Sequence, residues 1–230
     1  MKVIAVVPAR DEADTVAATV AAVRSIAGVS AVLVVDDASR DTTSAEAEAA
    51  GAVVLRLGSS AGKGTALQAG LDAAADADAV LLLDADLGAS AAEASVLLAP
   101  VLAGEADMTV GVLPRPGGPG GFGLVKRLAR AGISRLGGGF AAKAPLSGQR
   151  ALTRTAVEAV RPVAFGYGAE VAMTVRALRA GLRVVEVPVA MEHRATGRDL
   201  AGFAHRGLQF AHVARALAVL ARERRQRSLG

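Results

Sequence analysis

The first 113 residues repeat one pattern, and that pattern limits the fold more than any other feature. A short apolar run, rich in β-branched residues, is followed by a segment with helical spacing. The runs are Lys2 to Val7, Ala31 to Val35, Ala52 to Leu57, Ala79 to Leu83 and Met108 to Leu113. The segments between them are Asp14 to Ala27, Thr42 to Ala50, Lys63 to Ala75 and Ala91 to Leu102. Apolar runs without polar alternation suit strands buried on both faces. Strands that alternate with helices imply a Rossmann-like α/β fold, with a mostly parallel sheet and helices on both faces. The chain has 230 residues, enough for one such domain. In open sheets of this kind, ligands collect at the carboxyl ends of the strands. Pro8 to Glu12, Asp36-Asp37, Gly62 to Gly64 and Asp84 to Asp86 all fall there.

The second half is less regular. Pro114 to Gly123 is rich in Gly and Pro and reads as a loop. Leu124 to Leu136 is helical with a basic face, and Gly137-Gly138-Gly139 ends it. Ala151 to Val160 and Ala169 to Ala180 are expected helices, Leu182 to Val189 an expected strand. Leu200 to Arg224 reads as a long C-terminal helix, able to pack on the domain, pair subunits or lie on a lipid surface.

Composition removes several classes of function. Hydrophobic residues make up 52% of the chain, too many for a disordered protein. There is no Cys, so no disulfide framework, thiolate metal site or cysteine nucleophile, in keeping with a reducing, cytoplasmic setting. Mean hydropathy is +0.40, yet charges such as Asp36, Asp84 and Glu93 interrupt every apolar run before it reaches the roughly 20 residues of a membrane span. No signal-peptide pattern is visible at the N-terminus. The net charge of +4 resides largely in Arg222, Arg224, Arg225 and Arg227, and aromatics are only 3%, so nucleic acid is not an expected partner.

Three strings mimic nucleotide motifs. Gly118 to Gly123 fits G-x-G-x-x-G but sits late in the sheet, with no acid about 20 residues on. Gly58 to Lys63 resembles a phosphate loop, but Gly64 stands where Ser or Thr is required. Val34 to Asp37 resembles the acidic pair of a receiver domain, but it follows the second strand of a chain too long for that class.

Taken in order, the strand-end motifs resemble family 2 glycosyltransferases of GT-A fold. Val6-Val7-Pro8-Ala9-Arg10-Asp11-Glu12 is similar to that family's V-P-x-x-N-E, with Asp11 in place of Asn. Val34-Val35-Asp36-Asp37-Ala38-Ser39, Gly62-Lys63-Gly64 and Asp84-Ala85-Asp86 resemble its V-V-D-D-x-S, G-K-G and D-x-D motifs. Ser147 to Ala151, Gly166 to Glu170 and His193 to Asp199 resemble the branch holding dolichyl-phosphate mannose synthases and glucosyl-3-phosphoglycerate synthases. The resemblance implies a GT-A domain over 1–199, with a nucleotide-sugar half (1–113) and an acceptor half (114–199). A C-terminal helix and basic tail occupy 200–230.

It also implies roles for individual residues. Pro8, Arg10, Glu12, Asp37, Lys63, Asp84 and Ala85 would line the sugar-nucleotide pocket. Asp84, Asp86 and His193 would hold Mg²⁺ or Mn²⁺, whose charge neutralises a departing diphosphate. His193 carries added weight because Gly88 stands where the dolichyl-phosphate branch has a metal-binding Gln. Asp86 and Glu170 are the expected catalytic acids, Glu170 as a general base or an orienting group. A carboxylate at that place also suits a helix start.

From Met108 to Val157 there is no Asp or Glu, while Arg115, Lys126, Arg127, Arg130, Arg135, Lys143, Arg150 and Arg154 are basic. That stretch suits an anionic acceptor, although a solvated helix face would look the same. The acceptor-side residues are Arg115, Ser147, Gly148, Arg150, Arg194 and Arg198. The expected function is metal-dependent transfer of a sugar from a UDP- or GDP-sugar to a phosphate-bearing acceptor such as a polyprenyl phosphate or a phosphoglycerate. A noncatalytic sugar-nucleotide-binding or membrane-recruited module and a nucleotidyltransferase are the alternatives. Peripheral contact with the inner membrane face and a homodimer are both compatible with the C-terminal helix.

Overall fold

The computed structural model describes residues 1–114, 123–164, 166–192 and 201–227; side chains of 201–206 and 227 fall outside the description. Seven strands form one sheet in the order β3-β2-β1-β4-β6-β5-β7. They are β1 (Val3–Ala9), β2 (Val29–Asp36), β3 (Val53–Arg56), β4 (Ala79–Leu82), β5 (Met108–Val112), β6 (Arg150–Thr153) and β7 (Val184–Pro188). All pairings are parallel except those of β6, which runs antiparallel to both β4 and β5.

The expected parallel β-α half is present, with helices α1 (Val16–Arg24), α2 (Thr43–Ala49), α3 (Lys63–Ala73) and α4 (Ser95–Leu102). A 3-10 segment, Gly88–Ala94, precedes α4, where a single helix from Ala91 was expected. The strands are apolar on both faces because both are covered. Val3, Ala5, Val7, Ala79 and Leu81 pack with Val16, Val20, Leu97 and Val101 of α1 and α4. Ile4, Val6, Val80 and Leu82 pack on the other face with Leu67 and Leu71 of α3. The same cluster takes Ala156 and Val160 of α6 (Arg154–Val160) and Met173 of α7 (Ala169–Arg179).

Strand β6 departs from the expected helix over 151–160. Arg150 to Thr153 is too short to show alternation and runs directly into α6. Thr153 ends the strand, and its side chain accepts from Ala156 N at 3.2 Å, starting the helix. The strand's place between β4 and β5 joins the two halves of the chain in one sheet.

A third cluster lies outside the sheet. Val125, Ala129 and Ile133 of α5 (Gly123–Leu136) and Val171 and Val175 of α7 meet Val213 and Leu220 of α8 (Ala201–Arg227). The C-terminal helix thus packs on the domain through one stripe. Leu208, Phe210 and Val219 remain exposed. Among the described residues, no helix is long and apolar enough to cross a membrane.

One buried hydroxyl fixes the turn after β4. Thr19 of α1 donates to Ala85 O at 2.8 Å and accepts from Gly88 N at 2.8 Å. Both partners belong to the segment that carries Asp84 and Asp86. Thr19→Val keeps the shape and leaves both backbone groups without this partner. The expected loss is about 1–3 kcal/mol, read from the midpoint of urea unfolding.

Candidate active site

Four elements converge where β4 ends. Lys63, the first residue of α3, places Nζ 2.7 Å from Asp84 Oδ1 and 3.1 Å from Glu170 Oε1. Asp84 follows β4, and Glu170 is the second residue of α7. From the loop before β6, Gln149 Nε2 donates to Asp84 Oδ2 at 2.7 Å, and Ser147 Oγ donates to Gln149 Oε1 at 3.2 Å. Burial opposes the charge on Lys63, but the carboxylates of Asp84 and Glu170 outweigh it and hold the ammonium above the usual lysine range. Lys63 is therefore a fixed positive charge rather than a proton donor.

Two glycines make this approach possible. A Cβ on Gly64 would lie 2.2 Å from Ala164 O, so only glycine lets the first turn of α3 reach the backbone of Ala164 and Gly166. A Cβ on Gly148 would lie 2.8 Å from Lys63 Nζ and 3.0 Å from Asp84 Oδ1.

Beside this centre, the acids after β2 divide their work. Asp36 is fully buried. Its carboxylate accepts from Ser39 N at 2.7 Å and from Ser44 Oγ, with Arg56 Nε 3.9 Å away. Burial raises its pKa, and these donors together bring it below the ordinary carboxylate range. Asp36 is a structural anchor for the turn. Asp37 reaches across to the loop ahead of Lys63, accepting from Ala61 N at 2.7 Å, Gly62 N at 3.0 Å and Ser60 Oγ at 2.9 Å. Arg10 donates to the same Ser60 hydroxyl at 2.7 Å. Asp37 thus shapes the loop that presents Lys63.

Pro8 and Glu12 are partly exposed at the end of β1. Glu12 is tied down through its backbone N to Thr43 Oγ1 at 2.9 Å and through Oε2 to Thr15 Oγ1 at 3.0 Å. Asp11 between Arg10 and Glu12 has φ 53, a conformation that Asp tolerates, and its Oδ1 accepts from Arg40 N at 2.8 Å. Ala85 is buried, while Asp84 and Asp86 on either side of it are partly exposed. Among the described residues, no group of three or more His, Asp or Glu is close enough together to hold a metal. Ser90 Oγ accepts from Glu192 N at 3.1 Å and donates to Glu192 O at 3.2 Å. This brings the chain to within one residue of His193 beside the turn that follows Asp86. His193, Arg194, Arg198 and Arg115 themselves lie outside the described residues.

Arg150 corrects an expectation. It is fully buried, and its guanidinium donates to Ser147 O at 3.0 Å, Thr174 Oγ1 at 2.9 Å and Glu170 O at 3.0 Å. Burial pulls its pKa down to about 10, against the opposing charges of Glu170 and Glu186, so it stays charged at neutral pH. It cannot meet an acceptor phosphate. It ties the loop under Asp84 to the helix bearing Glu170. The basic stretch is likewise not a single face. Arg130 donates to Ala142 O and Lys143 O, and Arg154 donates to Ala77 O and Asp76 O at the opposite end of β4. The loop at 143–144 is held by Glu186, which accepts from Lys143 N and Ala144 N.

Ser60 and Thr19 join the site without having been picked out from the sequence, and Gln149 and Tyr167 join it from motifs in which no role was assigned to them. Gln149 lies within the Ser147 to Ala151 motif, but an amide carries no charge signal. The glycine spacing gives one test. Gly148→Ala should leave the melting temperature within a few degrees of the unaltered chain, because the flexible tip of Lys63 can retreat from the added methyl group. Thermal unfolding followed by circular dichroism reads the difference.

Comparison with known proteins agrees with this architecture. Residues 4–149 match the profile of Glycosyl transferase family 2. A curated relative, Glycosyltransferase AglJ of Haloferax volcanii, is 33% identical over 198 residues, covering 84% of this chain. The chain spans 63% of the length of that relative. A solved mycobacterial protein is 30% identical with a TM-score of 0.80, covering 95% of this chain and 74% of its own. Glucosyl-3-phosphoglycerate synthase from Mycobacterium tuberculosis was solved with Mn²⁺, uridine diphosphate and phosphoglyceric acid. It is 27% identical with a TM-score of 0.79, covering 95% of this chain and 78% of its own. The sheet is that of the expected GT-A fold, and the chain belongs to glycosyl transferase family 2.

Proposed function

We propose that the chain transfers a sugar from a nucleoside diphosphate sugar, with UDP as the favoured carrier, to an anionic, phosphate-bearing acceptor, and needs Mg²⁺ or Mn²⁺ to do so. The observation that carries this reading is the Lys63 ammonium held between Asp84 and Glu170 at the strand ends. The synthase solved with Mn²⁺, uridine diphosphate and phosphoglyceric acid supports the carrier, the metal and the acid acceptor.

Each residue then has a chemical task. When the sugar bond breaks, negative charge builds on the diphosphate. Lys63 stabilises it from a position fixed before the substrate arrives, at the positive end of α3. An ammonium has three donors, so two carboxylate contacts leave one for a phosphate oxygen. Asp84 and Asp86 offer the hard oxygen donors that suit a divalent cation, with His193 next along the chain from Glu192. Bound there, the cation would supply charge neutralisation to the leaving diphosphate. Arg10 and Glu12, beside the loop shaped by Asp37, line the nucleoside side together with Pro8. Ser147 and Gly148, with Arg115, Arg194 and Arg198, form the acceptor side. A phosphate acceptor arrives already ionised and needs no base, so Glu170 serves to orient Lys63.

The test is a donor screen with Mg²⁺ or Mn²⁺ that follows nucleoside diphosphate release with and without phosphate-bearing acceptors. The expected result is metal-dependent release that rises when an acceptor of this kind is present. Asp86→Ala should abolish that turnover while the melting temperature stays within a few degrees. Full turnover in Asp86→Ala would remove the metal role.

A further inference from the structure

The C-terminal helix touches the turn that leads into Glu170. The 3-10 turn Gly166–Gly168 leads directly into α7 and Glu170. On one side of it lies α3: a Cβ on Gly64 would fall 2.8 Å from Gly166 N as well as 2.2 Å from Ala164 O. On the other side lies α8. A Cβ on Gly166 would fall 2.2 Å from His212 Nδ1, and one on Gly168 would fall 2.5 Å from Ala216 Cβ and 2.8 Å from His212 O. The turn therefore has glycine at each close approach, and no slack in either direction.

Tyr167, between those two glycines, links α8 to the charged centre. Its ring stacks on His212, with centroids 5.9 Å apart and planes at 24°. Its backbone N–H donates to His212 Nδ1 at 3.4 Å. Burial raises the pKa of its phenol, with the Lys63 charge lowering it and the Glu170 charge raising it further. A displacement of His212 would thus reach Tyr167 by direct contact and Glu170 through the short backbone run from the turn into α7. Closely packed segments transmit small shifts instead of absorbing them.

We propose that His212 is a positioning residue of the active site. It sets the height of the Gly166–Gly168 turn, and through it the placement of Glu170 against Lys63. This makes α8 part of the catalytic framework rather than an appendage. The inference rests on the glycosyltransferase reading for its activity assay, but not for its binding assay.

The test is a double-mutant cycle between His212→Ala and Glu170→Gln, read as kcat/KM for sugar transfer and as uridine diphosphate affinity in the presence of Mn²⁺. Misplacement of a fixed group by a fraction of an ångström should lower kcat/KM roughly ten- to a hundredfold in the unaltered background. In the Glu170→Gln background the same change should cost less than about twofold, because the residue it acts through is already disabled. His212→Phe keeps a ring under Tyr167 and removes the acceptor; if His212→Ala fails to fold, it takes its place in the cycle, with a loss of about threefold that again vanishes in the Glu170→Gln background. Equal losses in both backgrounds would show a general packing role and overturn the proposal, as would no loss in either. If the unaltered chain transfers no sugar, the transferase reading fails on its own, and the same cycle on nucleotide affinity still decides the role of His212.

Discussion

The structure around the cleft depends on one ammonium. Lys63 stands at the start of α3 and faces two carboxylates from separate parts of the chain, Asp84 after β4 and Glu170 in α7. Neither acid is its neighbour in sequence, so the contact exists only when the sheet is complete and α7 is seated. Two acids at this range would repel each other and lose hydration without the cation. The lysine would be costly to bury without the acids. The three groups therefore require one another, and the arrangement is negative overall.

Close backbone approach makes the contact geometry possible. Gly64, Gly148, Gly166 and Gly168 all stand where a methyl group would collide with a neighbour. They come from α3, the loop before β6, and the turn before α7. Polar ties complete the frame. Arg150 joins Ser147 to Glu170 through their carbonyls, and Asp37 joins β2 to the loop ahead of Lys63. A buried guanidinium is a poor source of stability compared with apolar packing. Its use here fixes the distance between two halves of the site.

Much of this was legible in the sequence, and the gaps have physical causes. The strand-helix alternation in the first 113 residues is a strong signal, because β1, β4 and most of β2 and β5 are buried on both faces and so read as unbroken apolar runs, while the edge strand β3 leaves Val53 exposed. The strand-end acids could be read for the same reason: Asp36, Asp37, Asp84 and Asp86 interrupt apolar runs where a fold of this class binds ligands. Strand β6 was hidden, since Arg150 opens it and Thr153 passes straight into α6. Arg150 also misled as to role. Charge type shows in a sequence, but the direction of a side chain does not. Gln149 and Tyr167 were visible as members of the Ser147 to Ala151 and Gly166 to Glu170 motifs, but not their roles, which come from what they face: Asp84 for Gln149 and His212 for Tyr167.

The arginines sharpen that last point. Arg130, Arg150, Arg154, Arg176 and Arg179 all donate to backbone carbonyls, two of them at helix ends: Arg176 to Val160 O, the last residue of α6, and Arg179 to Leu136 O, the last of α5. Arg179 also reaches Leu220 O within α8. A carbonyl at the end of a helix has no partner within the helix, and a guanidinium brings several donors in a fixed plane. Such ties join α7 to α6, α5 and α8, beside the apolar contacts that α5, α7 and α8 already share. An excess of arginine between Met108 and Val157 is then, in good part, a framework property.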